Sequence, residues 1–381
     1  MTGTCFDSSI GERYALYHGD CVLALPGLPD YSIGLSVSSW PFSDQYAYSP
    51  AEADFGNCDG DDDFFAQCDY LLPELLRVTI PGRFAIVHCK DRIIYGSRNN
   101  GVRHIEPFSD KVTTAMRRHG WLFYGRITIA TDPVRENNQT NNLPYSELKK
   151  DASRYGVGMP EYLLLFRRPH TPSDGGQWSD ARVTLDEAAY PLPRWQLDAN
   201  SVWRTSGAWL PPDTPSYAEL RAELKYVARN ADGTRDLLPY EIGGYNYQAH
   251  VEYLMELDRK VQLGRAHGQP LPTDNPWVWW DIQRIKVLNG QVAKEAEDEK
   301  HICPLQLDLI ERCITRWSNP GDVVLDYFTG IGSVPWRALQ LGRRGVGIEL
   351  KASYYRLACQ FLSELEFQQM QPTMFPELEV A

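Results

Sequence analysis

VVLDYFTGIGSVPWRALQLGRRGVGIEL, Val323–Leu350, is the stretch on which the reading of this chain turns. A short apolar run ends at Asp326, a turn carries Gly330 and Gly332, a helical stretch follows, and a second apolar run ends at Glu349. Strand, glycine turn, helix and strand in that order make a βαβ unit of the nucleotide-binding kind. The glycines let the backbone approach a ligand closely, and an acidic residue ending the second strand suits ribose hydroxyls. The third glycine that a pyrophosphate needs is missing. A glycine pair alone is as well explained by a tight turn, so the joint presence of Asp326, the pair and Glu349 carries the argument.

Working outward, the pattern predicts an α/β fold with a mostly parallel sheet. Strands are expected at Tyr14–Asp20, Ser32–Ser39, Arg83–Cys89, Trp121–Ala130 and Glu161–Arg168, and helices at Phe64–Thr79, Ser109–His119, Cys303–Trp317 and Lys351–Glu366. Pro73 must start or kink a segment of the first helix, and Pro81-Gly82 is read as the turn that opens a strand. Between residues 169 and 298 prolines and tryptophans crowd together and the alternation stops. That region reads as an inserted, partly helical domain, which divides the rest into residues 1–168 and 299–381.

The 381 residues carry a net charge of −12, which counts mildly against a nucleic-acid partner, because phosphate neutralisation usually supplies much of the affinity. Much of the acid lies between Glu52 and Asp69, read as a solvated loop with no EF-hand spacing. Basic residues gather at Lys111, Arg117, Arg118, Arg126 and Arg135, then at Lys149, Lys150 and Arg154. The eight cysteines form no CxxC pair, so no metal site and no disulfide framework is expected. No apolar run is long enough to span a bilayer, the N-terminus lacks a signal-peptide pattern, and a reducing cytoplasm fits best.

Val323–Leu350 resembles the S-adenosylmethionine-binding segment of the DNA amino-methyltransferases, and Glu299–Ile314 resembles the segment that precedes it there. In YHGDCVLALPGLPDYSIGLSVSSWPF (Tyr17–Phe42), the Gly19-Asp20 pair matches the position that meets the cofactor's adenine in that family. The likeness spans most of residues 10–168 and 299–360. It implies a Rossmann-like methyltransferase fold with a seven-stranded, mostly parallel sheet. The acceptor motif precedes the cofactor motif, the circularly permuted order of one subgroup. It also implies cofactor contacts from Asp20, His301, Pro304, Asp326, Phe328, Gly330, Gly332 and Glu349.

The family's acceptor motif is Asp, Asn or Ser, then Pro-Pro, then an aromatic residue; here it reads Ser39, Trp40, Pro41, Phe42. An aromatic amine is a poor nucleophile because its lone pair is delocalised into the ring. By resemblance, Ser39 and the carbonyl of residue 40 accept hydrogen bonds from the amine, and Phe42 stacks on a base flipped out of the duplex. Trp40 and Tyr327 both stand where the family has proline.

Ser39 leans toward cytosine N4 over adenine N6. Double-stranded DNA is then the partner, a homodimer is allowed, and the flanking segments are similar to phage and prophage enzymes, with restriction–modification as the setting. Two other readings stay open: a weakened relative that binds cofactor or DNA without efficient transfer, and a methyltransferase acting on RNA or another amine. His88, Lys90 and Asp132-Pro133 are further pocket candidates, and His88 is equally well read as a structural histidine. A cap for the following helix explains His301 as well as a cofactor contact does. The insertion's tryptophans read as core before they read as DNA wedges.

Overall fold

A computed structural model describes residues 5–129, 149–151, 160–170, 181–188, 278–279, 282, 286–288 and 305–370. The chain divides into one unit of residues 1–184 with 282–381 and a second of residues 185–281. Of the second unit, residues 185–188 and a two-residue strand β9 (Val278–Trp279), with Trp279 buried, are described. The helices read at 216–230 and 248–263 lie outside the described residues.

In the first unit the strands are β1 (Asp7–Ile10), β2 (Tyr14–His18), β3 (Ile33–Ser39), β4 (Thr79–Cys89), β7 (Leu122–Ile129), β8 (Glu161–Arg167), β10 (Val323–Asp326) and β11 (Arg344–Glu349). They form one sheet in the order β1-β2-β11-β10-β3-β4-β8-β7. The five strands from β2 to β4 are parallel, and β8, β7 and β1 are antiparallel to their neighbours. Strand β1 is one more than the expected seven; the polar DSSI of this exposed edge carries no apolar alternation to announce it. A separate hairpin pairs β5 (Arg92–Ile94) with β6 (His104–Glu106).

Central β3 is buried on both faces. Ile33, Leu35 and Val37 fill one row, and the small Ser36 and Ser38 the other. This is the continuous pattern of a strand covered on both sides. The helices are α1 (Cys21–Ala24), α2 (Asp61–Val78), α3 (Phe108–Arg118), α4 (Leu307–Trp317), α5 (Ser333–Gln340) and α6 (Ala352–Met370). Each of the longer ones buries an apolar stripe; α2, for example, buries Phe64, Cys68, Leu71, Leu72, Leu75 and Val78.

Two local expectations are corrected. Helix α2 starts three residues earlier than the apolar spacing suggests and runs through Pro73. The acids Asp61, Asp62 and Asp63 form its first turn, where carboxylates meet the positive end of the helix dipole. The burial of the α2 stripe outweighs the one backbone hydrogen bond that Pro73 removes. Strand β4 begins at Thr79 and takes in Pro81 and Gly82, with a register shift where it meets β3 between Ile33 and Leu35. Gly82 supplies the positive φ of 81°.

Strand order places the site. From β3 the chain proceeds to β4 on one side; from β10 it proceeds to β11 on the other. The neighbouring carboxyl ends of β3 and β10 therefore flank a switch point, where open α/β sheets form their binding crevice.

Candidate active site

A cavity of about 930 Å³, counting space that opens to solvent, lies over those strand ends. Ser39, Trp40, Pro41 and Phe42 line it from β3, and Asp326, Tyr327, Phe328 and Gly330 line it from β10 and the following turn. Asp20 and Glu349 border it as well. Thus all four acceptor-motif residues and five of the eight expected cofactor residues share one cavity. Gly332 stands just behind, as the cap of α5. His301 and Pro304 lie outside the described residues, as do Asp132 and Pro133.

The cofactor side is held mostly by backbone amides of its own unit, with one bond from β3. Glu349 accepts from the Gly330 amide and the Lys351 amide, both at 2.8 Å. Asp326 accepts from the Phe328 amide at 3.1 Å and from the Ser38 hydroxyl at 2.7 Å. Burial pushes the Glu349 carboxyl up to about 8, against the pull of its two amide donors, and pushes Asp326 up to about 7 against its own donors. Gly330 and Gly332 adopt φ of 55° and 86°. A Cβ on Gly332 would sit 3.1 Å from that of Ala358, so both the backbone and the packing require glycine. Asp20 caps α1 by accepting from the Val22 amide at 2.9 Å, and burial raises its pKa despite that bond.

The acceptor side is assembled from distant segments. The Ser39 hydroxyl lies 2.9 Å from His88 Nδ1, and His88 Nε2 lies 3.1 Å from a Glu161 carboxylate oxygen. Lys90 Nζ stands 4.0 Å from the other oxygen of Glu161 and 5.7 Å from the centre of the Phe42 ring. Buried Arg92 donates to the Phe42 carbonyl at 3.2 Å and pairs with Asp44 and Asp61. The backbone behind the acceptor motif is thereby tied to the start of α2.

The two prolines missing from the motifs turn out to be one feature. Trp40 Nε1 donates to the Tyr327 hydroxyl at 2.7 Å, with both side chains almost wholly buried. An aromatic path closes the circuit through Phe64, Phe55 and Phe328, whose successive ring centres lie between 5.1 and 6.0 Å apart. A buried indole N–H needs a partner, and the phenol supplies it.

Asp54 is a residue that sequence reading misses. It lies in the run taken for a solvated loop, yet it is buried. It accepts from the Tyr48 and Gly56 amides at 2.8 Å and from the Ser49 amide. The turn it organises brings Tyr48, Ser49 and Phe55 to the cavity. The signal lies in Asp54-Phe55-Gly56, the spacing of a carboxylate that captures an amide two residues on. The basic gathering is also partly engaged: Lys111 pairs with Asp61 and Glu106, Arg118 with Asp69, and Arg126 with Asp110.

Comparison with known proteins assigns the class. A family described as DNA methylase, of the N6/N4 type, matches residues 33–360, and the chain belongs to that family. The type II methyltransferase M1.MboII of Moraxella bovis is 42% identical over 91 residues, 23% of this chain and 34% of that protein. The DNA adenine methyltransferase YhdJ of Escherichia coli K12 is 34% identical over 83 residues, 22% of this chain and 26% of its own. The matches thus span about a third or less of these curated relatives. Among solved structures, TTHA0409 of Thermus thermophilus, a candidate DNA modification methylase crystallised with S-adenosyl-L-methionine, is 17% identical with a TM-score of 0.50, covering 93% of this chain and 94% of its own. That likeness concerns the fold. Among the described residues, no helix is long and apolar enough to cross a membrane.

Proposed function

We propose that the chain transfers the methyl group of S-adenosylmethionine to the exocyclic amine of a base flipped out of double-stranded DNA, cytosine N4 before adenine N6. The observation that carries this is the single cavity bordered by both Ser39–Phe42 and the Asp326–Gly330 turn. The cavity's chemistry suits the cofactor. Glu349 and Asp326 offer acceptors for hydroxyl groups, Phe328 and Phe55 offer apolar faces, and the Thr329 hydroxyl is buried at the wall with no partner among the described residues. When bound, S-adenosylmethionine supplies an electrophilic methyl group on a sulfonium. Ser39 and the carbonyl of residue 40 then orient the amine, and Phe42 stacks against the base.

The order of the segments supports the permuted arrangement, since the strands bearing the cofactor motif come last in the chain and lie beside β3 in the sheet. The insertion at residues 169–298 serves as the target-recognition domain in this reading, His301 and Pro304 complete the cofactor side, and the setting is a bacterial cytoplasm or a phage-infected host. A homodimer is compatible with it. The hydrogen bond between Trp40 and Tyr327 favours an active enzyme over a weakened relative, because the two departures satisfy each other.

The test is to incubate the protein with unmethylated plasmid or phage DNA and labelled cofactor, then digest the DNA and analyse its nucleosides by mass spectrometry. N4-methylcytosine is expected. N6-methyladenine keeps the enzyme and changes the base. Label on RNA alone moves the substrate class, and no transfer with cofactor still bound supports the weakened relative.

A further inference from the structure

Ser38 and Ser39 are neighbours on β3 with opposite fates. Ser38 donates to Asp326 on the cofactor side, whereas Ser39 meets a histidine that is not among the residues lining the cavity. We infer that His88 and Glu161 are positioning residues of the transfer, a relay that makes Ser39 an acceptor and draws off the proton the amine must lose. The inference rests on the function proposed above.

Geometry sets the direction of each bond. Glu161 is a carboxylate and only accepts, so His88 Nε2 carries the hydrogen that reaches it across 3.1 Å. Nδ1 is then bare and accepts the Ser39 hydroxyl hydrogen across 2.9 Å. With its own hydrogen turned to His88, Ser39 faces the cavity with oxygen lone pairs, as a bonding partner for an amine N–H requires. Ser39, His88 and Glu161 come from β3, β4 and β8, three adjacent strands. Their register is fixed, with Ser39 opposite His88 in one ladder and His88 opposite Leu163, two residues from Glu161, in the other.

The proton balance needs this sink. As the amine nitrogen bonds the methyl carbon, the carbon–sulfur bond of the donor breaks and its electron pair returns to sulfur. The nitrogen is left with one proton too many. That proton passes to the Ser39 oxygen while the Ser39 hydrogen passes to His88 Nδ1, and the resulting imidazolium faces Glu161. A bare serine hydroxyl is a poor base at neutral pH; a histidine behind it is a good one. The charged side chains at the far end of the ring are opposite in sign. Glu161 meets Nε2 directly, and Lys90 Nζ stands 4.0 Å from the second carboxylate oxygen.

Single-turnover methylation of unmethylated DNA at saturating cofactor tests the relay. His88→Asn leaves an acceptor beside Ser39 but has no second nitrogen for Glu161 and takes no proton; Glu161→Gln keeps the shape and removes the charge. The rate is expected to fall about 100-fold in H88N and about 10-fold in E161Q, the range of lost general-base assistance. Cofactor affinity stays near that of wild type, and melting temperature drops by a few degrees in each variant, the cost of breaking one buried bond; the rates are therefore compared well below the melting range. Ser39→Ala falls as far as H88N, and adding H88N to S39A lowers the rate no further, because the relay acts only through Ser39. Near-wild-type rates in both H88N and E161Q, or a large further loss in the double variant, overturn the relay.

A second readout needs no DNA. Histidine ring-nitrogen NMR should show the Nε2-protonated form for His88, with Nδ1 shifting in S39A; an Nδ1-protonated ring also overturns the relay. Wild-type protein that methylates no DNA but shows the Nε2 form sinks the substrate reading and leaves the relay standing.

Discussion

The two halves of the cavity are built by opposite means. On the cofactor side, Glu349 reaches a backbone amide only 19 positions away, within one βαβ unit. On the acceptor side, Ser39 meets a residue 49 positions away, and Trp40 one 287 positions away. A contiguous unit carries its own geometry. The acceptor motif borrows its geometry from β4, β8 and the cofactor turn, so a change at one of its residues also disturbs a distant partner. Trp40 with Tyr327 is such a pair.

Breaking the contiguous half should have the largest effect. Gly332→Val forces a side chain into φ 86° and against Ala358, while Gly321→Val meets φ 78° with nothing within 4 Å. The first should cost about 3 kcal/mol, conformational strain plus overpacking, and the second only about 1–2 kcal/mol, the strain alone. Urea melts measure both. Calorimetry should find cofactor binding abolished in G332V and intact in G321V. Equal losses in the two variants would show that the close packing behind the turn is not what holds it.

Next in size is the charge on Glu349. Its carboxyl is raised to about 8 in the cofactor-free fold, so the proton must leave before the carboxylate accepts from hydroxyl groups. Cofactor affinity should therefore strengthen as pH rises from 6 to 9, roughly 10- to 100-fold, and level off above the raised pKa. In Glu349→Gln the affinity should be weak and nearly flat with pH. Stability moves the other way. A carboxyl raised by burial contributes stability that is fully present below the ordinary carboxylate pKa and is lost as pH rises through the folded value, here about 7 for Asp326 and about 8 for Glu349. Melting temperature without cofactor should fall between pH 6 and 9, and fall less in E349Q. A flat affinity profile in wild type would remove the carboxylate from the cofactor site.

The contrast also explains what could be read from the sequence. The strands, the glycine turn and Glu349 were legible because period and spacing within one short segment encode them. Ser39–Phe42 was legible as a motif but not as a geometry. His88 looked as structural as functional, because its partners Ser39 and Glu161 lie on two other strands and no local pattern joins them. Asp54 was hidden by its neighbours: an acidic run reads as solvent-facing, and only the fold shows which carboxylate turns inward to collect amides. Strand β1 gave no apolar signal because its edge position buries little. The basic cluster was legible as composition, but its pairing with Asp61, Asp69 and Asp110 was not. The exposed pairs among these are weak and exchangeable for phosphates, so the net charge of −12 does not by itself exclude DNA.

The smallest predicted effect is the most direct test of long-range compensation. Tyr327→Phe leaves the Trp40 N–H buried without an acceptor, and Trp40→Phe leaves the Tyr327 hydroxyl without its donor. Each single change should destabilise the fold by about 1–3 kcal/mol, the cost of stranding one buried polar group. Trp40→Phe also loses indole contacts with Phe64, so it should be the costlier of the two. The double variant strands neither group. It should therefore be less destabilised than the sum of the singles by about 1 kcal/mol or more, the coupling that a double-mutant cycle in urea isolates. Additive losses would mean that the two residues only fill space, and that the link from β3 to the cofactor turn rests on the strand pairing, the ring contacts and the bond from Ser38 to Asp326.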